Sequence, residues 1–129
     1  MAAQTFHELL RQKAHVFITT INGDGSPQTT MTWVDTDGDH ALINIPAGTL
    51  KDRNIARDPR VSLAIADPHN PRHYFAARGT VVAINQDPDM SHFDSLTKKY
   101  LGTPFAELGG PAHERHILTI QIDAIHEAE

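Results

Sequence analysis

The segment 44–54 combines residue types that can bind an anion, in the order Asn-Ile-Pro-Ala-Gly-Thr-Leu-Lys-Asp-Arg-Asn. A strand pattern breaks at Pro46 and Gly48, and a helix pattern with Lys51, Arg53 and Asn54 follows directly. Free amides at a helix start point at a ligand, the helix dipole favours negative charge there, and Lys51 adds a mobile cation. The segment predicts a phosphate site. The alternative is a solvated helix face on which the cations pair with neighbouring aspartates.

The chain has nine histidines, but the spacing of its residues does not favour a metal site or a hydrolase. Pro71 separates His69 from His73, so a helix that places both imidazoles on one face is not expected. His113 and His116 are one residue too close for the zinc-protease motif, and no third ligand follows. No serine has the glycine frame of a nucleophile elbow. We therefore predict no metal site and no hydrolase.

The elements that position the candidate site are mostly strands. Alternating apolar residues between turn signals predict six of them, over 15–21, 28–35, 40–46, 60–66, 73–84 and 116–125. A capping box formed by Thr5 and Glu8 opens a first helix to about residue 13, and two further helices are predicted over 49–58 and 88–101. Short turns and peripheral helices indicate a mainly β fold, an antiparallel six-stranded barrel that forms a single domain over 1–129.

Periodicity also predicts which side chains face the core. In the second strand Met31 and Trp33 share one face, and Thr30, Thr32 and Val34 share the other. The last strand turns Leu118, Ile120 and Ile122 inward. The third helix carries a buried stripe of Met90, Phe93, Leu96 and Leu101 and ends at Gly102. Gly79, inside a strand pattern, indicates a bulge or a close backbone approach.

Composition excludes several classes of function. The chain has 129 residues, and 11 Lys and Arg against 16 Asp and Glu give a net charge of −5, the wrong sign for a nucleic-acid binder. Without cysteine there is no disulfide, thiolate metal site or redox thiol, so any redox chemistry must come from a cofactor. The N-terminus has no secretory pattern, and no apolar stretch is long enough to cross a membrane. We therefore expect a cytoplasmic protein without membrane partners.

A series of short motifs extends over nearly the whole sequence in a specific order. They are Asp24–Gln28, Trp33, Lys51–Asn54, Arg57–Ser62, Asp67–Pro71 with Tyr74, Arg78–Gly79, Lys99–Gly102 and Glu114–Arg115. In this order the sequence resembles the pyridoxamine 5'-phosphate oxidase-like superfamily, and within it the deazaflavin-dependent branch. The resemblance implies a split β-barrel that forms a homodimer, with two flavin or deazaflavin sites at the subunit interface.

The resemblance also assigns roles to residues. It implies that Lys51 and Asn54 hold the cofactor phosphate with help from Arg53. Two strand segments would flank the ring, with Thr30, Met31, Thr32 and Trp33 in one and Asn44, Ile45 and Pro46 in the other. Relatives often carry an arginine where this chain has Thr49, so a simple flavin phosphate is expected to bind more weakly.

The resemblance is compatible with two cofactors, coenzyme F-420 and FMN, which share a tricyclic ring and a ribityl phosphate. F-420 also carries a lactyl-oligoglutamate tail, which a groove of Arg53, Arg57, Arg60 and Arg72 would attract. We therefore favour an F-420-dependent oxidoreductase that passes hydride to an unsaturated small molecule. The alternatives are an FMN-dependent oxidase or reductase, a non-catalytic cofactor carrier, and a dimerisation barrel without ligand.

Overall fold

A curled antiparallel sheet of seven strands dominates the computed structural model, which describes residues 5–128. The strands are β1 (Val16–Ile21), β2 (Pro27–Thr32), β3 (Asp35–Thr36), β4 (Ala41–Pro46), β5 (Arg60–Asp67), β6 (Asn70–Gln86) and β7 (Arg115–Ala128). Their order across the sheet is β2-β1-β5-β6-β7-β4-β3. The helices are α1 (Phe6–Leu10), α2 (Leu50–Arg57) and α3 (Ser91–Leu101), and a short 3-10 helix covers Phe105–Glu107. The predicted mainly β fold with peripheral helices is confirmed.

The strand count of six was wrong, because the predicted strand 28–35 is divided at Trp33 and Val34. The first part, β2, pairs with β1, whereas β3 pairs with β4 on the opposite edge of the sheet. At the break, the amide of Val34 donates to the Tyr100 hydroxyl at 3.1 Å instead of to a neighbouring strand. Periodicity cannot detect such a break, since the side chains keep alternating through it.

Helix α3 is hydrogen-bonded to the segment that connects the two edge strands, β2 and β3. The Tyr100 hydroxyl also donates to the carbonyl of Ala14 at 2.6 Å. The Lys99 amine donates to the carbonyls of Leu10 and Val34, at 2.7 and 2.6 Å. Because these contacts join the end of α1, the start of β1 and the strand break, α3 holds the segment around Trp33 in place.

The core fills the concave side of the sheet and is closed at one end by α1. Its fully buried side chains come from alternate strand positions and from α1, among them Leu9, Leu10, Val16, Ile18, Ile43, Leu118 and Ile120. Burying each of the larger aliphatic side chains contributes about 1.5–3 kcal/mol. The inward positions of Leu118, Ile120 and Ile122 are confirmed, as is the capping box, in which Thr5 and Glu8 bond each other's backbone amides.

The pairing of β6 with β7 explains the glycine in the fifth predicted strand. The register shifts between Arg78 and Gly79, which is the predicted bulge. A Cβ at Gly79 would lie 2.7 Å from the carbonyl oxygen of Gln121 and 2.8 Å from Ile120 Cγ2. The predicted bulge and the predicted close approach therefore both occur at this position.

The third helix starts later than predicted, and one residue of its predicted buried stripe is exposed. It begins at Ser91 rather than at residue 88, because the Asp87 carboxylate accepts the amides of His92 and Phe93 and so caps the helix from outside. Gly102 ends it with a φ of 71°, as predicted. Leu101, predicted to be buried, is 52% exposed, because the preceding Lys99 and Tyr100 make the contacts to the sheet.

Candidate functional site

A cavity of about 300 Å³ opens where the end of β2, the strand break, β4, α2, α3 and the start of β7 meet. Seven of the ten predicted site residues line it, namely Met31, Thr32, Trp33, Asn44, Ile45, Pro46 and Lys51. Four further lining residues were not predicted: His15, Phe93, Leu96 and Arg115. The cavity therefore joins two segments that are separate in sequence and adds residues from α3 and β7.

The loop that opens α2 is fixed by a small hydrogen-bond network. Thr49 caps the helix by accepting the Asp52 amide at 3.4 Å, and the buried Asp52 carboxylate accepts the Gly48 amide at 2.8 Å. His116 Nδ1, on β7, donates to Asp52 Oδ1 at 2.9 Å. Gly48 adopts a φ of 78°, which favours glycine. The network holds the first turn of α2, and with it Lys51, beside the cavity.

Lys51 is the cation that best fits an anionic ligand. Its side chain is partly buried at the cavity, and burial lowers the pKa of its amine. Within residues 5–128 it has no hydrogen bond or ion pair, so the alternative in which it pairs with a neighbouring aspartate is not observed. A phosphate would supply the missing counter-charge.

Three predicted site residues do not line the cavity. Arg53 donates to its own loop, at the carbonyl of Gly48, at 2.6 Å. Asn54 is fully buried, and its amide donates to Thr20 and Asn22 at 3.1 and 2.9 Å. These bonds tie α2 to the first hairpin and leave the Asn54 amide no free donor for a phosphate. The hydroxyl of Thr30 is buried without a hydrogen-bond partner.

Asn44 lies at the centre of a buried polar network beneath the cavity. Its Nδ2 donates to Asp87 Oδ2 and to His92 Nδ1, each at 3.0 Å. Its Oδ1 accepts from Nε of Arg115. His92 Nε2 lies 3.3 Å from Asp35 Oδ2, and this contact lowers the pKa of the Asp35 carboxyl. Asn44 therefore links β4, β7 and the start of α3.

Two cavity-lining residues, Trp33 and Phe93, belong to a stack of aromatic rings. The ring of Trp33 stacks on Tyr100 with centroids 5.0 Å apart and planes at 7°, and on Phe93 at 6.1 Å and 17°. The guanidinium carbon of Arg115 lies 3.8 Å from the centroid of the Phe93 ring. Such stacking favours a fixed, flat surface over a mobile one.

The four arginines of the predicted basic groove are exposed, but three of them bond to other groups of the chain. Arg53 bonds its own loop, as described above. Arg57 donates to the carbonyl of Ile21 at 2.6 Å, and Arg60 forms an ion pair with Asp58 at 2.8 Å. Of the four arginines expected to meet an acidic tail, three are thus engaged within the chain.

Neither a metal cluster nor a membrane-spanning helix occurs among the described residues. Among residues 5–128, no group of three or more His, Cys, Asp or Glu side chains is placed to hold a metal ion. Within the same range, no helix is both long and apolar enough to span a membrane.

Arg115 lines the cavity but was absent from the predicted set. The pair Glu114–Arg115 contributed to the family resemblance, but its place in the fold depends on β7 lying beside β4. In that pairing Arg115 is opposite Pro46. Phe93 and Leu96 were predicted only as buried helix residues, and His15 only as the start of a strand.

The curled antiparallel sheet agrees with the sequence comparison. The pattern of the pyridoxamine 5'-phosphate oxidase family matches residues 2–128, and the chain belongs to this family. No curated protein matches the sequence.

Solved structures with similar folds include an F-420 reductase, with 28% identity, a TM-score of 0.85 and coverage of 97% of this chain and 98% of that one. A conserved hypothetical protein from Mycobacterium tuberculosis is 20% identical with a TM-score of 0.74, over 100% and 85% of the two chains. HupZ from Group A Streptococcus is 15% identical with a TM-score of 0.63, over 98% and 94%. The last two likenesses concern the fold alone.

Proposed function

We propose that the protein is an oxidoreductase that binds coenzyme F-420 in the 300 Å³ cavity and reduces an unsaturated small molecule. The observation that carries the proposal is the amine of Lys51, which has no hydrogen bond or ion pair within residues 5–128 and lies at a cavity lined by the stacked rings of Trp33 and Phe93. The similarity to an F-420 reductase over 97% of the chain supports the choice of cofactor.

The cofactor supplies the hydride chemistry when it is bound, and the chain supplies binding, orientation and electrostatics. Lys51 would hold the phosphate, because it is the cavity cation that has no partner among the described residues 5–128. Ile45 and Pro46 on one side and Met31 on the other would bound the ring. No side chain is required as a nucleophile.

An FMN-dependent oxidase or reductase is the second candidate, and one observation favours it. Arg53, Arg57 and Arg60, which were expected to meet the acidic tail of F-420, are engaged within the chain. A flavin phosphate without a tail would use Lys51 and the same cavity. The two candidates therefore differ in the tail and not in the ring or phosphate contacts.

Parallel fluorescence titrations with F-420 and FMN test the proposal. We expect tighter binding of F-420, followed by oxidation of the reduced coenzyme when an unsaturated acceptor is added. Tighter binding of FMN would favour the second candidate. Binding of F-420 without turnover on any acceptor would indicate a carrier, and absence of binding to both cofactors would contradict the proposal.

We also propose that the protein acts as a homodimer, in which a second copy covers the outer face of the sheet. Phe17 points outward between two buried neighbours and pairs in register with Met31 and Ala64, and Ala64 pairs with Ala76. Phe17 and Met31 are 50% and 58% exposed. Since Met31 also lines the cavity, a partner on this apolar row would lie at the cavity mouth.

A further inference from the structure

We propose that Arg115 binds the carbonyl edge of the tricyclic ring, and that Asn44 and His92 act as positioning residues for its guanidinium. The inference rests on the proposed function, since it assigns a ring contact within the same cavity. It concerns a planar conjugated ring with carbonyl oxygens, a chemistry common to F-420 and FMN.

Arg115 lies at the cavity, and no side-chain hydrogen bond among residues 5–128 engages its terminal nitrogens. It begins β7 opposite Pro46, is 9% exposed, and lines the cavity. Its Nε donates to Asn44, and its guanidinium stacks on Phe93. No other side-chain hydrogen bond of Arg115 occurs in the part of the chain that the structure describes. Both terminal nitrogens of a planar donor group therefore remain for an acceptor in the cavity.

The orientation of Arg115 depends on which way the Asn44 amide points. The Nδ2 group of Asn44 has two acceptors, Asp87 Oδ2 and His92 Nδ1, so its oxygen must face Arg115. For His92 Nδ1 to accept, the ring proton must be on Nε2, which lies 3.3 Å from the Asp35 carboxylate. The chain of contacts from Asp35 through His92 and Asn44 thus fixes the guanidinium.

The two cavity cations, Arg115 and Lys51, differ in whether a nearby carboxylate balances their charge. This difference indicates which part of the cofactor each one binds. The buried carboxylate of Asp87 lies in the same network as Arg115 and attracts it electrostatically, whereas no carboxylate among residues 5–128 pairs with Lys51. A guanidinium whose charge is balanced by a carboxylate favours neutral or delocalised carbonyl oxygens as ligands. An amine without a nearby carboxylate favours a phosphate. We therefore assign the ring edge to Arg115 and the phosphate to Lys51.

Ligand pairs with and without the phosphate test this assignment directly. Riboflavin is compared with FMN, and deazariboflavin, which has the F-420 ring and ribityl chain, is compared with F-420. We expect Arg115→Met to weaken binding of all four ligands by about tenfold, as loss of a hydrogen bond to a charged group predicts. Lys51→Ala should weaken only FMN and F-420. Arg11→Met is the matched control, because Arg11 is exposed, follows α1 and does not line the cavity.

Two additional variants address the case in which Arg115→Met is poorly folded. Arg115→Lys keeps the charge but loses the planar pair of donors, and we expect the phosphate-free ligands to bind several-fold more weakly with an unchanged melting temperature. Asn44→Leu should weaken them as well, and the Asn44→Leu, Arg115→Met double variant should be no weaker than Arg115→Met alone. Additive losses would contradict the positioning role of Asn44.

The outcomes separate this inference from the proposed function. If the Arg115 variants bind riboflavin and deazariboflavin at wild-type strength, the ring assignment is wrong, whether or not FMN and F-420 are affected. If the wild-type protein binds none of the four ligands, the proposed function itself fails.

Discussion

Lys51 presents the cavity with a partly buried amine that has no ionic partner between residues 5 and 128. Replacing Lys51 with alanine removes one charge-assisted hydrogen bond to the phosphate, worth about 1.5–3 kcal/mol, so affinity for F-420 and FMN should fall roughly ten- to a hundredfold. Fluorescence titration measures the loss, and the melting temperature should hardly change. Lys98→Ala is the matched control, since Lys98 is exposed and pairs with Asp94. Wild-type affinity in Lys51→Ala would place the phosphate elsewhere.

Lys99 makes the stability of the protein depend on pH. Burial lowers the pKa of its amine from 10.5 to about 8, although the nearby Asp35 opposes the shift. Between these two values the unfolded chain binds a proton that the folded chain lacks, so the contribution of Lys99 to the free energy of unfolding rises with pH and is smallest below pH 8. Urea unfolding at pH 7 and pH 10 should show the wild type gaining stability relative to Lys99→Met. A difference that does not change with pH would contradict this expectation.

At the scale of single residues, the sequence predicted those cavity-lining positions that depend on local structure. A strand that breaks before a helix brings residues 44–46 and Lys51 together through local geometry alone. The position of Asn54 could not be predicted from local sequence, because its side-chain amide bonds to residues of the first hairpin. Arg115 was missed for a similar reason, since its position depends on pairing between β4 and β7.

The β6–β7 ribbon depends on the absence of a side chain at Gly79. A methyl group there would meet the Gln121 carbonyl at 2.7 Å, which forces a backbone shift. Gly79→Ala should therefore lower the free energy of unfolding by about 1–3 kcal/mol in urea denaturation. Gly110→Ala serves as the control, because a Cβ at Gly110 meets no atom within 4 Å and its φ is not in the left-handed region. If Gly79→Ala and Gly110→Ala have the same free energy of unfolding, the β6–β7 ribbon accommodates the methyl group and the prediction is wrong.

At the scale of elements, the sequence predicted helices and strands well where the pattern and the hydrogen bonds agree. It failed at residues 33–34, where alternation continues although Val34 bonds to the Tyr100 side chain and not to a strand. It also placed Leu101 on the buried face of α3, because periodicity alone does not show that Lys99 and Tyr100 make the contacts to the sheet. Both errors arise from side-chain bonds between elements distant in sequence.

The homodimer proposed for the whole molecule can be tested at Phe17. A carboxylate in the apolar row would be buried without a partner on association, so Phe17→Glu should shift the protein from dimer to monomer in light scattering. Cofactor affinity should fall with it, since the row borders the cavity through Met31. Leu108→Glu, an exposed change outside the sheet, should affect neither. A wild-type protein that is monomeric at micromolar concentration and still binds cofactor tightly would exclude the shared site.

The pairing of β4 with β7 also constrains how the chain acquires its structure on the ribosome. Ala41 pairs with Ile120 and Pro46 with Arg115, so β4 emerges from the exit tunnel well before its partner. Until then Ile43 and Ile45, which are fully buried in the finished fold, lack the strand that covers them. Contacts between such distant segments form slowly, and a nascent chain with exposed apolar strands is a substrate for chaperones. The cavity, which requires Arg115 from β7, can assemble only at the end of this process.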